Sequence, residues 1–301
     1  MTTTESGKLK KAEPKKGFMA VRTDSTVTHI RPPRGWLALN LRDLWLYREL
    51  VYFLTWRDVK VRYKQAALGI GWAILQPLLT MVVFTVIFNK FLGVKPDAGI
   101  PEAYYPIFAF AALLPWQFFQ GALQRSSTSL VANANLLTKI YFPRLIIPTS
   151  AVTAGLVDFF FSFMVMVGLM IYFGVPFTIN LLWLPLFLLV ALLTALAVGL
   201  WLSALNVQYR DVQHMLPFLI TIWMYASPVV YSLDVVNVSD TWKVLYALNP
   251  MVGVIQGFRW AIFGTNPPGW MFGISMGMVL ILLVSGLYYF RRMERTFADL
   301  I

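Results

Sequence analysis

Cysteine is absent from this sequence, and charged residues are scarce. Without a Cys among its 301 residues, the chain can form no disulfide, thiol nucleophile or Cys-ligated zinc site. Its two histidines, His29 and His214, are too few and too far apart for a His-based metal site. Asp, Glu, Lys and Arg make up only 13% of the chain, against roughly 25% in an ordinary soluble domain. That is too little polar surface to coat a globule of this size in water, which argues against a soluble enzyme.

Catalytic and nucleotide-binding motifs are missing as well. The sequence has no Gly-x-x-x-x-Gly-Lys-Ser/Thr loop, so it does not bind ATP through a P-loop. It has no visible Ser/His/Asp constellation and no cluster of His, Asp or Glu such as a membrane-embedded enzyme would need. It also lacks the internal repeat with paired broken helices that is typical of secondary transporters. We therefore predict no catalytic residue and no bound metal.

Long apolar runs are abundant, because 58% of the residues are hydrophobic. A bilayer core of roughly 30 Å requires roughly 20 helical residues. Six runs qualify, at about 69–91, 105–124, 145–173, 181–205, 215–233 and 270–290. They are continuous rather than alternating, which excludes a β-barrel. The sequence therefore predicts an all-α membrane protein with a six-helix transmembrane domain over residues 65–295.

Residues 241–264 form a seventh, ambiguous stretch. It contains Lys243, Asn249-Pro250, Gln256 and Arg259, and an Arg at the centre of a spanning helix costs roughly 2.5–3.5 kcal/mol. We interpret the stretch as two short helices, re-entrant or interfacial, on the side opposite the N-terminus. This helix pair would precede the last span.

The N-terminal region divides into two parts. Residues 1–40 are rich in Lys and Arg and contain no apolar run of signal-peptide length. They are predicted to be a disordered cytoplasmic tail; the alternative is contact with anionic lipid headgroups or a partner subunit. In residues 41–64, Arg57, Lys60 and Lys64 lie beside an aromatic and apolar stripe made of Leu41, Trp45, Tyr52, Trp56, Val59 and Tyr63. This pattern favours an amphipathic helix in the membrane interface over a packed soluble helix.

Positive charge is concentrated on one side of this predicted topology. With six spans both termini share a side, and 21 of the 25 Lys and Arg fall on it. Lys90, Lys95, Lys243 and Arg259 fall on the other side. Because cytoplasmic loops carry such an excess, both termini, including residues 296–301, are predicted to be cytoplasmic. The net charge of +11 then reflects orientation in the membrane, and nucleic-acid binding is not expected.

Asp158 is the one acid placed deep inside a predicted span. An ionisable residue in that position is a functional candidate by default. The alternatives are a structural hydrogen bond to another helix, for example to Asn or Ser, and a role in proton coupling. A lone acid gives only weak support to the second alternative.

The loop 125–144 joins the second and third predicted spans on the cytoplasmic side. It is too polar to span a membrane and can form a short helix that ends before Pro143. Its apolar residues Leu136, Leu137, Ile140 and Phe142 stand among Asn and Lys. Exposed apolar residues here would indicate a docking surface; the alternative is a loop folded back on its own helices.

A set of short motifs occurs in a specific order along the chain. They are Leu114-Pro115-Trp116-Gln117-Phe118-Phe119, Lys139-Ile140-Tyr141-Phe142-Pro143-Arg144, Asp158, Tyr209-Arg210-Asp211-Val212, Asn249-Pro250-Met251 and Phe258-Arg259. In this order the sequence resembles the membrane subunit of bacterial ABC exporters for polysaccharides and polyol phosphates, the substrates being O-antigen, capsular polysaccharide and teichoic acid. The resemblance covers about residues 41–295.

This resemblance implies a function that composition alone does not. The chain would be a homodimeric, multi-pass permease in the lipid of the bacterial cytoplasmic (inner) membrane, joined to two copies of a separate cytoplasmic ATP-binding subunit. ATP and Mg would bind that subunit, and this chain would bind no cofactor. The substrate would be a lipid-linked glycan, moved through a channel between the protomers that is lined mainly by the first, second and fifth spans.

The resemblance also assigns roles to particular residues. The coupling segment that docks in the ATPase would include Asn133, Leu136, Leu137, Lys139, Tyr141, Phe142 and Arg144. Asn249, Pro250 and Arg259 would belong to gate helices at the external mouth. Aromatic rings that can stack on sugars are candidates for the substrate path, although each could equally pack against lipid or a neighbour: Phe84, Phe88, Trp116, Phe119, Trp223, Tyr225 and Tyr231. An exporter permease for drugs or lipids remains the alternative function.

Overall fold

The structure is a computed structural model that describes residues 45–64, 71–140, 142–232 and 240–297. The predicted tail 1–40, Leu41, Tyr141 and the last four residues lie outside the described residues. So do residues 65–70 and 233–239. The described residues form helices and no strand, which confirms the predicted all-α class.

Eleven α-helices are numbered here in chain order within the described part of the chain. They are α1 Arg48–Lys64, α2 Gly71–Phe84, α3 Tyr105–Ala132, α4 Ala134–Lys139, α5 Ile146–Thr153, α6 Gly155–Phe173, α7 Leu184–Gln208, α8 Val212–Tyr225, α9 Asp240–Ala247, α10 Pro250–Phe263 and α11 Trp270–Met293. A π-helical segment, Thr85–Phe91, continues α2. Short 3₁₀ turns, Glu102–Tyr104 and Ile179–Trp183, lead into α3 and α7.

Five helical segments in the described residues are long and apolar enough to cross a membrane. They are Gly71–Phe91, Glu102–Ala132, Ile146–Phe173, Ile179–Gln208 and Trp270–Met293. The third comprises α5 and α6, which meet at Ala154. The protein is therefore a multi-pass membrane protein, and these segments match five of the six predicted spans.

Helix α3 is the centre of the bundle. From Tyr105 to Phe119 almost every side chain is buried, and several are completely inaccessible. A helix that is apolar on all sides is surrounded either by protein or by lipid, and α3 packs against α5, α6, α7 and α10. Three of the other four apolar segments, those containing α2, α5–α6 and α7, therefore pack directly on α3, whereas the last one, α11, packs mainly on α7 and α10.

The helix of the second predicted span continues eight residues beyond the predicted end of that span. The prediction ended this span at residue 124, but α3 continues to Ala132. The hydroxyls of Ser127, Thr128 and Ser129 donate to carbonyls one turn earlier in the helix. Because these polar side chains are satisfied by the helix's own backbone, the polar sequence does not end the helix. The connection to the next span begins only at Asn133.

The predicted fifth span, 215–233, is only partly helical. Helix α8 has 14 residues, about 21 Å at 1.5 Å per residue, which is less than a bilayer core of roughly 30 Å. Residues 226–232 follow it without helical structure. The count of six spans therefore stays a prediction, because it requires this broken segment to cross the membrane.

The stretch 241–264 contains two helices, α9 and α10, separated at Asn249. The side chain of Asn249 accepts the backbone N–H of Met251 and caps α10, with Pro250 in the first turn. Pro is favoured there because the first N–H groups of a helix have no partner within it. That both helices stay on one side of the membrane remains a prediction.

Helix α1 lies against α5 with one face and exposes an aromatic face. Leu54 and Val59 are buried, and the hydroxyls of Thr55 and Thr153 are hydrogen-bonded at 2.8 Å. Trp45, Tyr52 and Trp56 are mostly exposed, as an interfacial helix requires. Val59 was expected in the same stripe but points inward, because it follows Thr55 by one turn.

Glycines allow the helices to approach closely. An added Cβ at Gly257 on α10 would lie 2.3 Å from the ring of Phe187 on α7. An added Cβ at Gly199 on α7 would lie 2.5 Å from the hydroxyl of Ser126 on α3. Small residues at such contacts are typical of membrane helix packing.

Replacing Gly257 by Ala should destabilise the protein. The new methyl group would displace the Phe187 ring near its attachment to the backbone, and overpacking of this kind costs about 1–3 kcal/mol. The measurement is the midpoint of thermal unfolding in detergent. Gly277→Ala on α11 is the control, because its Cβ would meet no atom within 4 Å; an equal fall in both variants would contradict the packing argument.

Candidate functional site

A cavity of about 600 Å³ lies between α2, α3 and α8 and reaches α1 and α6 at one end. Polar side chains from three helices line it among apolar ones. Gln117, Gln120 and Gln124 come from α3, Gln76 and Thr80 from α2, and Thr221 from α8. A volume of this size is within the usual range for ligand sites. We call this cavity the groove.

The three glutamines of α3 form a polar wall along the groove. They are spaced by three and four residues, which places them on one face of the helix. Each is half-buried in a segment that is long and apolar enough to span the membrane. Polar groups at such depth are expensive and mark functional surfaces. An amide side chain supplies two donors and one acceptor oxygen, so the wall can exchange hydrogen bonds with a hydroxylated ligand.

The predicted aromatic residues only partly coincide with the groove. Phe84 and Trp116 line it, whereas Phe88, Phe119, Trp223, Tyr225 and Tyr231 are not among its lining residues in the described part of the chain. Trp116 and Phe119 are completely buried in the protomer, and Tyr225 is half-exposed. The assignment of all seven to a substrate path stays a prediction.

Trp116, Phe119 and Trp223 form an aromatic cluster beside the groove. The ring centroids of Phe119 and Trp223 are 5.0 Å apart, and those of Trp116 and Phe119 are 5.5 Å apart. The indole N–H of Trp116 is buried and has no hydrogen-bond partner among the described residues. Buried donors are normally paired, so this N–H is an exception to the usual pattern.

Asp158 lies at the end of the groove that reaches α1. Arg62 and the hydroxyl of Tyr63, both on α1, donate to its two carboxylate oxygens. Arg125 of α3 donates to the same carboxylate at 3.3 Å. The predicted hydrogen bond to another helix is thus present, but its partners are Arg and Tyr rather than Asn or Ser. We call these four residues the basic cluster.

Two features of the surroundings support the basic cluster. Burial, together with the hydrogen bond to Asp158, raises the pKa of Tyr63 to about 12, so this hydroxyl keeps its proton and acts as a donor. An added Cβ at Gly155 would lie 2.3 Å from the guanidinium of Arg125, and one at Gly121 would lie 3.0 Å from it. The two glycines therefore provide the space that the Arg125 side chain occupies.

The coupling segment turns Leu136, Leu137 and Phe142 inward. Leu136 and Leu137 are half-buried, and Phe142 is buried, all three in a cluster with the ends of α1, α7 and α11. The exposed residues are Asn135, Thr138, Lys139 and Ile140. Leu136 and Leu137 therefore fold back on the helices of the same chain, as in the alternative interpretation of the loop. Lys139 and Ile140 remain accessible.

Both ends of the coupling segment are held by other helices. At its start, the side chain of Asn133 accepts a hydrogen bond of 2.8 Å from Arg57 on α1 and donates to the carbonyl of Ser129. At its end, the backbone N–H of Arg144 donates to Glu294, and the Arg144 side chain donates to the Glu294 carbonyl. The segment is therefore connected directly to α1 and to the end of α11.

The predicted gate residues hold the non-helical segment 226–232. Arg259 is buried, and it donates to the carbonyls of Val229 and Tyr231 at 2.9 and 3.1 Å. Tyr105 donates to the carbonyl of Val230 at 2.7 Å. The guanidinium of Arg259 also lies 3.7 Å from the centre of the Phe108 ring. Three successive carbonyls outside a helix are thus satisfied by side chains.

Asn249 reinforces the same segment from the break before α10. Its side-chain oxygen accepts the indole N–H of Trp223 at 2.9 Å, and its amide donates to the hydroxyl of Ser227 at 2.8 Å. Asn249 and Arg259 therefore act on neighbouring parts of one segment, and their assignment to a gate stays a prediction.

Sequence reasoning missed the polar wall and the partners of Asp158. The glutamine spacing at 117, 120 and 124 was a usable signal, since it follows one helix face in an apolar run. The contact between Arg62 and Asp158 joins residues 96 positions apart, and nothing in a single sequence indicates such a pairing. Arg125 was assigned to a loop because the end of α3 was placed too early.

Asp158→Asn should destabilise the protein, because Arg62 and Arg125 would then face each other without their carboxylate. The side chains of Asp158, Arg62 and Arg125 are each about 30% exposed. We therefore expect the free energy of unfolding to fall by about 1–3 kcal/mol, less than for a fully buried pair. The midpoint of thermal unfolding measures it. Asp211→Asn, at an exposed position, is the control and should be neutral; a stable Asp158→Asn protein would refute a structural role for this carboxylate.

Comparison with known proteins agrees with this architecture. The family model described as ABC-2 type transporter matches residues 49–263. The O-antigen export system permease protein RfbA of Myxococcus xanthus is 32% identical over 257 residues, covering 84% of this chain and 96% of the relative. A protein of the same name from Klebsiella pneumoniae is 28% identical, with 84% and 95% coverage. The polysialic acid transport protein KpsM of Escherichia coli is 26% identical, with 79% and 91% coverage. The chain therefore belongs to the ABC-2 type transporter family.

Proposed function

We propose that this protein is the permease subunit of an ATP-driven exporter that moves a lipid-linked cell-surface polysaccharide across the bacterial cytoplasmic membrane. The observation that carries the proposal is the polar wall of the groove inside an apolar helix bundle. Relatives named for O-antigen export and polysialic acid transport cover most of the chain, which supports a polysaccharide over a drug or a simple lipid.

The chemistry of the groove suits a glycan. Sugar hydroxyls donate and accept hydrogen bonds, and the amides of Gln117, Gln120 and Gln124 do both. The apolar faces of sugar rings can lie against Phe84, which lines the same groove. A path of this composition exchanges hydrogen bonds along its length without a deep binding pocket, as the passage of a long polymer requires.

The exposed faces of α2 and α8 support a homodimer. They flank the groove and expose large apolar residues, namely Trp72, Leu75, Leu79, Val82 and Val83 on α2, and Met215, Phe218, Leu219, Ile222 and Tyr225 on α8. A second copy placed against these faces would close the groove into a path between two protomers. Residues elsewhere on the bundle surface would then face lipid.

The coupling segment has the properties needed to receive force. The family implies a partner ATP-binding subunit, and we place its docking site on the exposed residues around Lys139 and Ile140. Movement there reaches α1 through Asn133 and α11 through Arg144. From α1 it reaches the groove through Arg62 and Asp158. Two ATP-binding subunits, one for each protomer, complete the proposed assembly.

The orientation follows from this placement. The coupling segment must face the cytoplasm, where ATP is available, and the excess of Lys and Arg lies on the same side as both termini in the six-span topology. The helix pair α9 and α10 then belongs to the opposite mouth. In that position, Asn249 and Arg259 would brace the external end of the path through their bonds to segment 226–232.

Removing the polar wall should impair transport. We expect the double variant Gln117→Leu, Gln120→Leu to lower ATP-dependent glycan export at least tenfold, because sugar hydroxyls in the groove would lose their partners. The assay uses the permease reconstituted with its ATP-binding subunit in proteoliposomes and follows a labelled lipid-linked glycan. ATP hydrolysis by the same complex reports whether the assembly is intact.

Gln213→Leu provides the matched control, since Gln213 is exposed and lies outside the groove. It should transport at the wild-type rate. Equal export by the double variant and the control would remove the groove from the substrate path. Export of a drug or phospholipid, with no export of glycan, would overturn the proposed substrate class.

Charge reversal on the coupling segment should prevent recruitment of the ATP-binding subunit. We expect the pair Lys139→Glu, Ile140→Asp to abolish co-purification, because both side chains are exposed where docking is proposed. Lys60→Glu, Val61→Asp is the matched control: an exposed Lys followed by an exposed apolar residue on α1. If the ATP-binding subunit co-purifies equally well with the Lys139→Glu, Ile140→Asp variant and with the control, the proposed docking site is contradicted.

A further inference from the structure

The basic cluster contains more positive than negative charge at the end of the groove. Two guanidinium groups, from Arg62 and Arg125, share the carboxylate of Asp158. Asp58, a further acid nearby, is bonded to its neighbour Arg57 at 2.8 Å. Within the described residues the cluster thus carries one positive charge that no carboxylate in it balances. A partly buried charge of this kind is expensive unless an anion accompanies it.

The position of Arg125 is built into the helix packing. Gly121 and Gly155 leave room for its guanidinium on two sides, and any larger residue at Gly155 would collide with it. Its Nε donates to the carbonyl of Ala151 at 3.4 Å and its Nη1 to Asp158 at 3.3 Å. The side chain is therefore held in one place while still bordering the groove.

Arg62 brings the second guanidinium from the interface helix. It lies near the end of α1, whose exposed face carries Tyr52 and Trp56. Such aromatic residues place a helix at the level of the lipid headgroups. The basic cluster therefore lies close to the depth at which lipid phosphates are found.

The basic cluster and the polar wall belong to one continuous cavity. Gln124 directly precedes Arg125, and both border the groove together with Arg62 and Asp158. A ligand that fills this cavity meets cationic groups at one end and amide groups along its side. Guanidinium groups bind phosphate through paired, charge-assisted hydrogen bonds, while amides suit hydroxyl groups. The combination matches a molecule in which a phosphate group adjoins a sugar.

We propose that Arg62 and Arg125 bind the phosphate group that joins the lipid to the glycan in the exported substrate. This inference rests on the proposed function. It assigns the basic end of the groove to the phosphate and the polar wall to the first sugars. Asp158 then acts as the counter-ion that holds both arginines in position and competes with the phosphate for them.

The test measures binding to the purified permease in nanodiscs of phosphatidylcholine by calorimetric titration. The probes are farnesyl diphosphate, the neutral alcohol farnesol, inorganic pyrophosphate and phosphatidylglycerol. Farnesyl diphosphate should bind at least tenfold more tightly than each of the other three. Equal binding of inorganic pyrophosphate would indicate a free-phosphate site, and equal binding of phosphatidylglycerol an ordinary lipid site; either result overturns the proposal.

Variants identify the residues responsible. Arg125→Gln leaves a one-to-one pair of Arg62 and Asp158, so it should fold, and it should weaken farnesyl diphosphate binding at least tenfold. Arg62→Gln should do the same, and Arg125→Lys should recover part of the affinity because it restores the charge. Arg48→Gln removes a positive charge from the other end of α1 and is the matched control. Wild-type affinity in both Arg125→Gln and Arg62→Gln would overturn the proposal.

Asp158→Asn distinguishes a phosphate site from a purely structural ion pair. If the carboxylate competes with the ligand, its removal should increase the affinity for farnesyl diphosphate even though the protein becomes less stable. Reduced affinity in the folded variant would contradict the proposed competition. Binding is measured without ATP or glycan, so the result is independent of export. If farnesyl diphosphate does not bind but glycan is exported, this proposal alone is removed. If farnesyl diphosphate binds but glycan is not exported, the proposed substrate is removed.

Discussion

The need to satisfy every backbone polar group inside the membrane governs this structure. Helix α3 meets it by continuing as one helix for 28 residues, and the hydroxyls of Ser127, Thr128 and Ser129 bond to its own carbonyls. Segment 226–232 is not helical, and it meets the same need differently, because Arg259 and Tyr105 bond three of its successive carbonyls. A buried cation is tolerated here because it replaces a missing stretch of helix. The bundle can therefore interrupt a helix without leaving carbonyl groups unpaired in an apolar environment.

Polar side chains from several helices line the groove. Its walls come from α2 and α8, which keep wide exposed apolar faces, and from one face of the central α3. The buried faces of α3 pack against the other helices, and its glutamine face borders the groove, where contact with a ligand is proposed. The basic cluster lies where the interface helix meets this scaffold, so the same residues connect α1 to the bundle and border the cavity. Arg62, Arg125 and Asp158 thus combine a structural role with the proposed contact to the ligand.

Hydrophobic run length was sufficient to predict the all-α class and the approximate position of five spans, because the bilayer sets a minimum length for each. The Asn249-Pro250 break was predictable for a similarly local reason, since Pro is favoured in the first turn of a helix. The end of α3 was missed because Ser and Thr look like loop residues until their hydrogen bonds are known.

The groove was missed because it combines residues from separate helices, and the pairing of Arg62 with Asp158 depends entirely on tertiary packing. Ring chemistry alone selected the aromatic candidates, and it could not tell Phe84, which lines the groove, from Phe88, which does not.

The end of α11 is structurally part of the coupling segment. The Glu294 carboxylate accepts a hydrogen bond from the backbone N–H of Arg144, and the Glu294 carbonyl accepts one from the Arg144 side chain. The same carboxylate pairs with Arg291 at 2.8 Å. Phe297 is buried against Phe290 and lies beneath the Arg144 guanidinium. Residues that follow the last span are commonly treated as a dispensable tail to which tags are attached. In this protein they support the surface proposed to receive the ATP-binding subunit, so shortening the chain before residue 298 would disturb communication with that subunit while leaving the membrane spans themselves complete.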